Sequence, residues 1–561
     1  MRNVLGLVDL TLLGVGATLG TGVYILAGQI ARQTAGPGVV LSFLIAAFAS
    51  LLAALCYAEL AAVVPTAGTA YSYTYVGVGE FTAFFVGWNL ILEYAIATAS
   101  VSRAFSNYVD VVTGNVIRTW SMRSVPLRGS FLAEYPGFLA VGFISLLAAL
   151  LALGVKESTL FNNVCSLLNL ITVIVTVVAG SCTSNVANWS IAREDIPAEK
   201  HAGVGGFLPF GVTGVLAGAS TCFFGYVGFD TITACGEEAR NPKRNIPLSI
   251  LLTLGVICAV YLAVSMVVTM MVPYYEQDLE APFPSAFEKV GLPVVSWIVT
   301  IGAMFAMTTR VVSPRCSASR LTADFPHLSM VGSMFPLPRV LLTMAADGML
   351  FRSLALVSTR TGTSLRSTLL AWLMSSSMAL LFNLEQLIDM MSIGTLTAYI
   401  MVAVSVVQIR SVSVPVPSES IFDDSLLYRV EAGTDATTPL STGRVLKAVL
   451  NYERLQEPSY VTSWVVPLVP FLPYLSILLN MSLMMMMNWG TWTRFGVWLL
   501  IGLMVYFLYS VWHSTLAEMQ QLDRKPESQD RVSTLPEDLM LSNQQRLSND
   551  SLAGTEPNNK T

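Results

Sequence analysis

The sequence is poor in charged residues, which make up 12% of its 561 residues, against about 25% in an ordinary soluble domain. Hydrophobic residues reach 54%, and the mean hydropathy is +0.62. Water therefore cannot be the main solvent of this chain. The net charge of −5 lies mostly in the polar segments, and we expect no nucleic-acid partner.

Catalytic and metal-binding motifs are also missing. The seven cysteines are odd in number and show no CxxC spacing, so neither a disulfide framework nor a metal site is expected. The three histidines are scattered, and the sequence contains no Ser/His/Asp arrangement, HExxH or phosphate loop. We therefore expect no enzyme activity and no cofactor. A channel is disfavoured because there is no filter-like loop or ring of charges.

Long apolar stretches dominate what is present. A stretch of about 20 apolar residues is long enough to cross the hydrocarbon core of a bilayer, and each stretch here is continuously apolar, which favours helices over a β-barrel. The sequence predicts an all-α membrane protein with about twelve spans. They lie at about 8–28, 38–62, 80–104, 136–155, 160–182, 207–235, 246–272, 290–309, 367–383, 386–408, 462–486 and 491–511.

The distribution of Lys and Arg predicts the orientation. These residues concentrate after the sixth span, before the ninth and after the tenth, and the positive-inside rule makes those loops cytosolic. Both termini are then cytosolic, although loop 106–135 disagrees because it carries three arginines on the outer side. The sequon at Asn188 falls outside and is a candidate glycosylation site. The polar tail 513–561 is expected to be disordered and cytosolic.

Glycines interrupt two of the predicted spans. Gly14, Gly16, Gly20 and Gly22 lie in the first, where helix propensity penalises each glycine by about 1 kcal/mol. The sixth span repeats the pattern between Gly211 and Gly228. Close helix packing is one explanation. The other is a pair of broken helices in an inverted repeat, whose exposed peptide dipoles would bind the charged head group of an amino acid.

Three carboxylates fall within or beside the spans. Glu93 lies near the middle of the third span, where a charge is costly, so it should face water, a substrate or a cation, or else be protonated and hydrogen-bonded. Asp230 lies at the break of the sixth span and is either functional or a cap of the following half-helix. Glu59 lies near the cytosolic end of the second span, where its position alone favours simple contact with the interface.

The order of these motifs resembles the cationic amino acid transporters of the amino acid, polyamine and organocation superfamily. The resemblance covers Leu5 to about Arg410 and resumes at about Val466. It is carried by motifs that include GVGATLGTGVYILAG, AGPGVVLSFLIAA, LCYAEL, GEFTAFFVGWNLILEY, GVKESTLFNNV, CFFGYVGFDTITACGEEARNPKRNIP, GSMFPLPR and LIDMMSIGTL.

The resemblance implies a fold and a set of site residues. The fold is a five-plus-five inverted-repeat (LeuT-like) core over 1–410, followed by two C-terminal spans over 461–512. The residues Gly20, Thr21 and Gly22 match the motif that holds the substrate carboxylate, and Phe229 matches a residue that meets the amino group and gates the pocket. Glu93 matches an acidic site position of some relatives, and Ser333 falls where a small residue leaves room for a long cationic side chain. Glu59 matches a glutamate that matters for transport in the family, which implies a part in coupling or gating. Asn169 replaces a lysine of proton-coupled relatives, which predicts proton-independent transport.

Two segments depart from the family pattern. Residues 310–330 insert three Arg, one Asp, one His and two Pro into the eighth span. Either this insert loops out into water, or it is an unspliced or alternative segment, which we favour. Residues 411–460 contain no run long enough to span, although two family spans belong there, and we expect a cytosolic loop.

Taken together, the sequence predicts facilitated, alternating-access transport of cationic amino acids such as arginine, lysine and ornithine. The plasma membrane is the expected location, with an endolysosomal membrane as the alternative. A transporter of neutral amino acids on the same fold remains possible, and so does a sensor or accessory protein that binds without transport. The expected partners are the amino acid and the lipid bilayer.

Overall fold

A computed structural model gives the fold of this chain. It describes residues 6–63, 70–126, 132–152, 159–197, 202–234, 239–311, 336–356, 364–411 and 466–514. Three of the predicted features lie outside these ranges: Ser333, nearly all of the 310–330 insert and nearly all of the 411–460 loop. The tail beyond Ser514 lies outside them as well.

The first part of the chain is built from helices that follow the apolar stretches. Helix α1 ends where Leu19 turns to an extended backbone, and α2 restarts at Thr21. The third predicted span is a helix of 33 residues, well beyond its predicted end at 104. The helices are α1 Leu7–Thr18, α2 Thr21–Ile30, α3 Val39–Val63, α4 Ala70–Gly77, α5 Glu80–Val112, α6 Val116–Ser124, α7 Phe138–Ala152 and α8 Thr159–Cys182.

The second part begins with another broken helix. Helix α9 ends at Cys222, a 3₁₀ turn runs over Phe223–Tyr226, and α10 starts at Asp230. Two helices, α13 and α14, lie on either side of the insert in the eighth span. The helices are α9 Gly211–Cys222, α10 Asp230–Ala234, α11 Pro242–Met271, α12 Pro282–Lys289, α13 Pro293–Val311, α14 Pro336–Ala346, α15 Leu365–Leu381 and α16 Leu384–Ser411.

Two more helices follow, α17 Phe471–Met485 and α18 Trp489–Val505, the latter continued by a π-helical turn at Tyr506–Ser510. Helix α18 is fixed against α5 by two stacked indoles. The rings of Trp88 and Trp498 lie 4.6 Å apart, and each indole N–H donates to the main-chain carbonyl of the other residue. The last predicted span therefore packs against the helices of the core.

The buried centre is formed where α3 packs against α9 and α11, and where α5 packs against α15 and α16. Six helices among the described residues are long and apolar enough to cross a bilayer, and six shorter apolar helices accompany them. The predicted stretches are mainly helical where the structure describes them, which confirms the all-helical membrane class, whereas the number of membrane spans stays a prediction. The inverted-repeat arrangement of those helices stays a prediction.

The described part of segment 106–135 bears on the conflict between its arginines and the predicted orientation. It contains the end of α5, the whole of α6 and an ion-paired arginine. Arg118 Nη1 lies 3.2 Å from Glu280 Oε1, and Arg118 Nη2 lies 3.8 Å from Glu134 Oε2. Acidic neighbours therefore offset part of the positive charge that conflicts with the predicted orientation.

Candidate functional site

The two predicted helix breaks exist. At the first, Leu19 has φ −72° and ψ 97°, and Gly20 has φ −145° and ψ −136°. The predicted residues Gly20, Thr21 and Gly22 are buried at the point where α2 begins. The start of a helix carries a partial positive charge, which favours an anion such as a carboxylate.

The second break lies over Val227–Phe229, and it contacts the first. Gly228 has φ +132°, a conformation that side-chain-bearing residues rarely adopt. A β-carbon there would lie 3.0 Å from the carbonyl oxygen of Ala17 and from Thr18 Oγ1, and one on Gly22 would lie 3.3 Å from the Cα of Gly225. The residues that flank the two breaks therefore lie close together inside the bundle.

Close helix packing explains other glycines in the same spans. A β-carbon on Gly14 would lie 2.5 Å from Ile232 Cδ1, and one on Gly218 would lie 2.8 Å from Ser42 Oγ. Close packing thus accounts for some of these glycines and helix breaks for others, while the inverted repeat and head-group binding at the breaks stay predictions. Gly14 and Gly218 allow helices to approach, whereas Gly20 and Gly228 lie at the breaks.

Asn169 supports the first break. This α8 residue is buried, and its side-chain amide donates to the carbonyl of Leu19 over 3.2 Å. The Tyr24 hydroxyl donates to Asn169 Oδ1 over 2.6 Å, and the Tyr108 hydroxyl donates to the carbonyl of Tyr24 over 3.1 Å. A carbonyl without its helical partner must be satisfied by another donor, and Asn169 is that donor for Leu19.

Two carboxylates lie together near the second break. Glu93 is 3% exposed in α5, and Asp230, in the first turn of α10, is close enough to interact with it electrostatically. The Tyr94 hydroxyl donates to Asp230 Oδ2 over 3.2 Å, and the Thr395 side chain hydrogen bonds with Glu93. Among the described residues Glu93 forms no ion pair, so a cation or a proton is needed to offset the charge of this one buried carboxylate.

A cluster of aromatic rings adjoins the carboxylates, and we call it the ring cluster: Tyr57, Phe223, Phe229 and Tyr399. The centroid of Tyr399 lies 5.2 Å from Tyr57, 5.4 Å from Phe229 and 5.4 Å from Phe223. Phe229, a predicted site residue, is fully buried within it. The sequence analysis missed Tyr57, Tyr94 and Tyr399, because no local pattern distinguishes them from ordinary buried aromatic residues.

Glu59 is not an interface residue, as its position alone had suggested. It is 1% exposed, and its two carboxylate oxygens accept from Arg410 Nε and Nη2, each over 2.8 Å. The N–H of Val466 also donates to Glu59 Oε2 over 2.7 Å. Glu59 therefore joins the end of α3 to the end of α16 and to the segment that precedes α17. It lies outside the carboxylate pair, and its predicted role in gating stays a prediction.

Asn188, the predicted glycosylation site, lies in a short 3₁₀ turn at Val186–Trp189. Its side-chain nitrogen donates to the carbonyl of Met270 over 2.6 Å. A sugar on that nitrogen would have to replace this hydrogen bond. Modification of Asn188 stays a prediction.

Known families match almost the whole chain. The amino acid permease family matches residues 5–417, and a family described as the C-terminus of the amino acid permeases matches residues 464–514. The second match covers α17 and α18.

Individual relatives are also similar over most of their length. Cationic amino acid transporter 4 of Mus musculus is 35% identical over 597 residues, which cover 93% of this chain and 89% of the relative. The protein of the same name from Homo sapiens is 35% identical over 592 residues, 92% of this chain and 88% of its own. A vacuolar cationic amino acid transporter 4 of Arabidopsis thaliana is 32% identical over 589 residues, 92% of this chain and 93% of its own. This chain belongs to the cationic amino acid transporter family of the amino acid permeases.

Proposed function

We propose that this protein carries cationic amino acids across a membrane by alternating access, without performing chemistry on them. The observation that carries the proposal is the buried Glu93, with Asp230 as its electrostatic neighbour, beside two helix breaks whose flanking residues lie close together. A free amino acid has a carboxylate and an ammonium group, and a cationic one has a second positive charge. The site supplies a complementary group for each of these charges.

The head group is proposed to bind at the breaks. The beginning of α2 at Thr21 directs the positive end of a helix toward the substrate carboxylate. Carbonyl groups of the Val227–Phe229 segment accept from the substrate ammonium group, as unwound backbone does in transporters of this architecture. Phe229 closes the site as part of the ring cluster.

The positive side chain of the substrate is proposed to bind beside Glu93 and Asp230. Two neighbouring carboxylates are unfavourable together, since like charges repel, and the buried Glu93 also loses its hydration. A guanidinium or ammonium group offsets both effects, whereas a neutral side chain offsets neither. This difference favours arginine, lysine and ornithine over alanine. Ser333 is proposed to border the same side chain from the segment after α13.

Transport is proposed to be facilitated and independent of protons. Asn169 occupies the position at which proton-coupled relatives place a lysine, and an amide does not titrate. In the structure the amide donates to the carbonyl of Leu19 and accepts from the hydroxyl of Tyr24. Glu59 is proposed to act in gating through its bond to Arg410.

Uptake of labelled arginine into proteoliposomes tests the proposal. We expect saturable uptake that lysine and ornithine inhibit, that alanine inhibits much less, and that a protonophore leaves unchanged. Glu93→Gln should reduce arginine uptake at least tenfold, whereas Glu288→Gln, a change at an exposed carboxylate of α12, should not alter it.

Each competing function has its own result in this assay. Equal inhibition by alanine and arginine would indicate a transporter of neutral amino acids. Arginine binding without flux would indicate a sensor or accessory protein. If Glu93→Gln transported arginine like the unchanged protein, the assignment of the cation site would be wrong.

The protein is an integral membrane protein, and we propose the plasma membrane as its location with both termini in the cytosol. The names of relatives differ on this point, since one Arabidopsis thaliana relative is called vacuolar and another mitochondrial. Fluorescent tags at either terminus should remain protected from an extracellular quencher while co-localising with a plasma-membrane marker. Loss of a mass shift on glycosidase treatment after Asn188→Gln would report use of the sequon.

A further inference from the structure

The hydroxyl group of Tyr399 is buried without a hydrogen-bond partner. Tyr399 lies in α16 and is 2% exposed, and its oxygen has no donor or acceptor within the described part of the chain. Leaving a buried polar group unsatisfied costs about 1–3 kcal/mol. Most buried side-chain polar atoms in folded proteins have a partner, so this one needs an explanation.

The packing around Tyr399 fixes where the ring lies. Tyr57, Phe223 and Phe229 surround it at centroid distances of 5.2–5.4 Å. Such tilted and edge-on arrangements are the favourable geometries for aromatic pairs. The ring therefore has little freedom to turn its hydroxyl toward another protein group.

The charged groups that act on this hydroxyl are both negative. Asp230 and Glu93 are the carboxylates within electrostatic range of Tyr399, together with the tyrosines Tyr57 and Tyr94. A hydroxyl at this position has a lone pair to offer, and the nearest charges would attract a cation to the same volume. The missing partner is therefore a positively charged donor.

We propose that the Tyr399 hydroxyl is a ligand for the cationic end of the substrate and determines specificity for it. This inference rests on the proposed transport of cationic amino acids and adds a residue to that site. An N–H of the guanidinium or ammonium group donates to Tyr399 Oη. A neutral side chain supplies no such donor and leaves the hydroxyl unsatisfied.

The proposal predicts opposite effects of one change on stability and on binding. Tyr399→Phe removes only the hydroxyl, so the substrate-free protein loses no hydrogen bond and should melt at the same temperature or higher. Arginine loses one charge-assisted hydrogen bond, and its dissociation constant should rise about tenfold. A hydroxyl with a purely structural role would give the reverse, a lower melting temperature with unchanged affinity.

Tyr75 provides a matched control. It is another buried tyrosine whose hydroxyl has no partner among the residues that the structure describes. It lies in α4, and the carboxylates that act on it there are Glu80 and Asp347. Tyr75→Phe removes the same atom away from the proposed site. Its arginine affinity should stay within twofold of the unchanged protein.

The experiment measures arginine binding by isothermal titration calorimetry and melting by differential scanning fluorimetry on the full-length protein in detergent. A tenfold loss of affinity in Tyr399→Phe alone, without a lower melting temperature, supports the inference. Unchanged affinity in Tyr399→Phe overturns it, and so does an equal loss in Tyr75→Phe or a lower melting temperature of Tyr399→Phe without arginine. If the unchanged protein binds no arginine, the proposed function itself fails, which is a distinguishable result.

Discussion

The ion pair between Glu59 and Arg410 should contribute more to stability than any exposed pair, and the cost of breaking it should depend on which partner is lost. The Glu59 side chain is 2% exposed and that of Arg410 is 23% exposed. Removing one partner of a buried pair typically costs about 3–5 kcal/mol, because the remaining charge is left without compensation. The partner with less access to water should be the costlier one to leave behind.

This reasoning predicts the order in which the variants lower the free energy of unfolding. Arg410→Met leaves the Glu59 carboxylate buried with only the N–H of Val466 as a donor, and should cost about 5 kcal/mol. Glu59→Gln leaves Arg410 with partial access to water and should cost about 3 kcal/mol. The double variant has no unpaired charge, so its cost should fall at least 2 kcal/mol below the sum of the single costs.

Unfolding in mixed micelles with increasing dodecyl sulfate measures these free energies. Glu276→Gln is the control, because the Lys289–Glu276 pair spans 3.5 Å with both side chains about 40% exposed and should cost less than about 1 kcal/mol. Additive costs in the double variant would contradict direct coupling of the two charges. A larger cost for Glu59→Gln than for Arg410→Met would contradict the burial argument.

Three further predictions concern Gly228 at the second break, Asn169 beside the first break, and Glu280 in the loop before α12. Gly228→Ala should cost about 1–3 kcal/mol because of its positive φ and should abolish arginine uptake, whereas Gly255→Ala, where a β-carbon meets nothing within 4 Å, should preserve both stability and uptake. Asn169→Ala should cost about 2–4 kcal/mol, because it leaves a carbonyl and a hydroxyl unsatisfied, and mixed-micelle unfolding would detect it. Burial raises the pKa of the Glu280 carboxyl above its ordinary 4.5, so its contribution to stability is present below that pH and is lost as the pH rises through the folded-state pKa. The melting temperature of Glu280→Gln relative to the unchanged protein should therefore increase between pH 4.5 and 7.

The helices and the two breaks could be predicted because their signals are local. A run of apolar residues predicts a membrane span, and several glycines within one run indicate either a helix break or close helix packing. The sequence could not separate those two explanations, since Gly14 and Gly20 each follow a leucine within the same largely apolar stretch. The distinction depends on what lies opposite each glycine, which is Ile232 for Gly14.

The partners of the site residues could not be predicted, because they come from distant parts of the chain. Glu59 and Arg410 are separated by 351 positions, and Tyr94 and Asp230 by 136. Nothing in the sequence around Tyr399 marks it as different from other buried tyrosines. Only the packing of α16 beside α3 and α5 shows which carboxylates it faces.

Helix α16 links the proposed substrate site to the ion pair, and this connection constrains how the protein can move. Its Tyr399 belongs to the ring cluster, while its Arg410, three turns later, is bonded to Glu59 of α3. Opening the ring cluster by separating α16 from α3 would have to break this buried ion pair, at a cost of several kcal/mol. In alternating access, the ends of α3 and α16 can move together as one unit and keep the ion pair. If they separate instead, the ion pair must break, and its loss sets a high barrier to that motion. The barrier set by this ion pair is the physical basis for the proposed part of Glu59 in gating, although Glu59 lies away from the carboxylates proposed to bind the substrate.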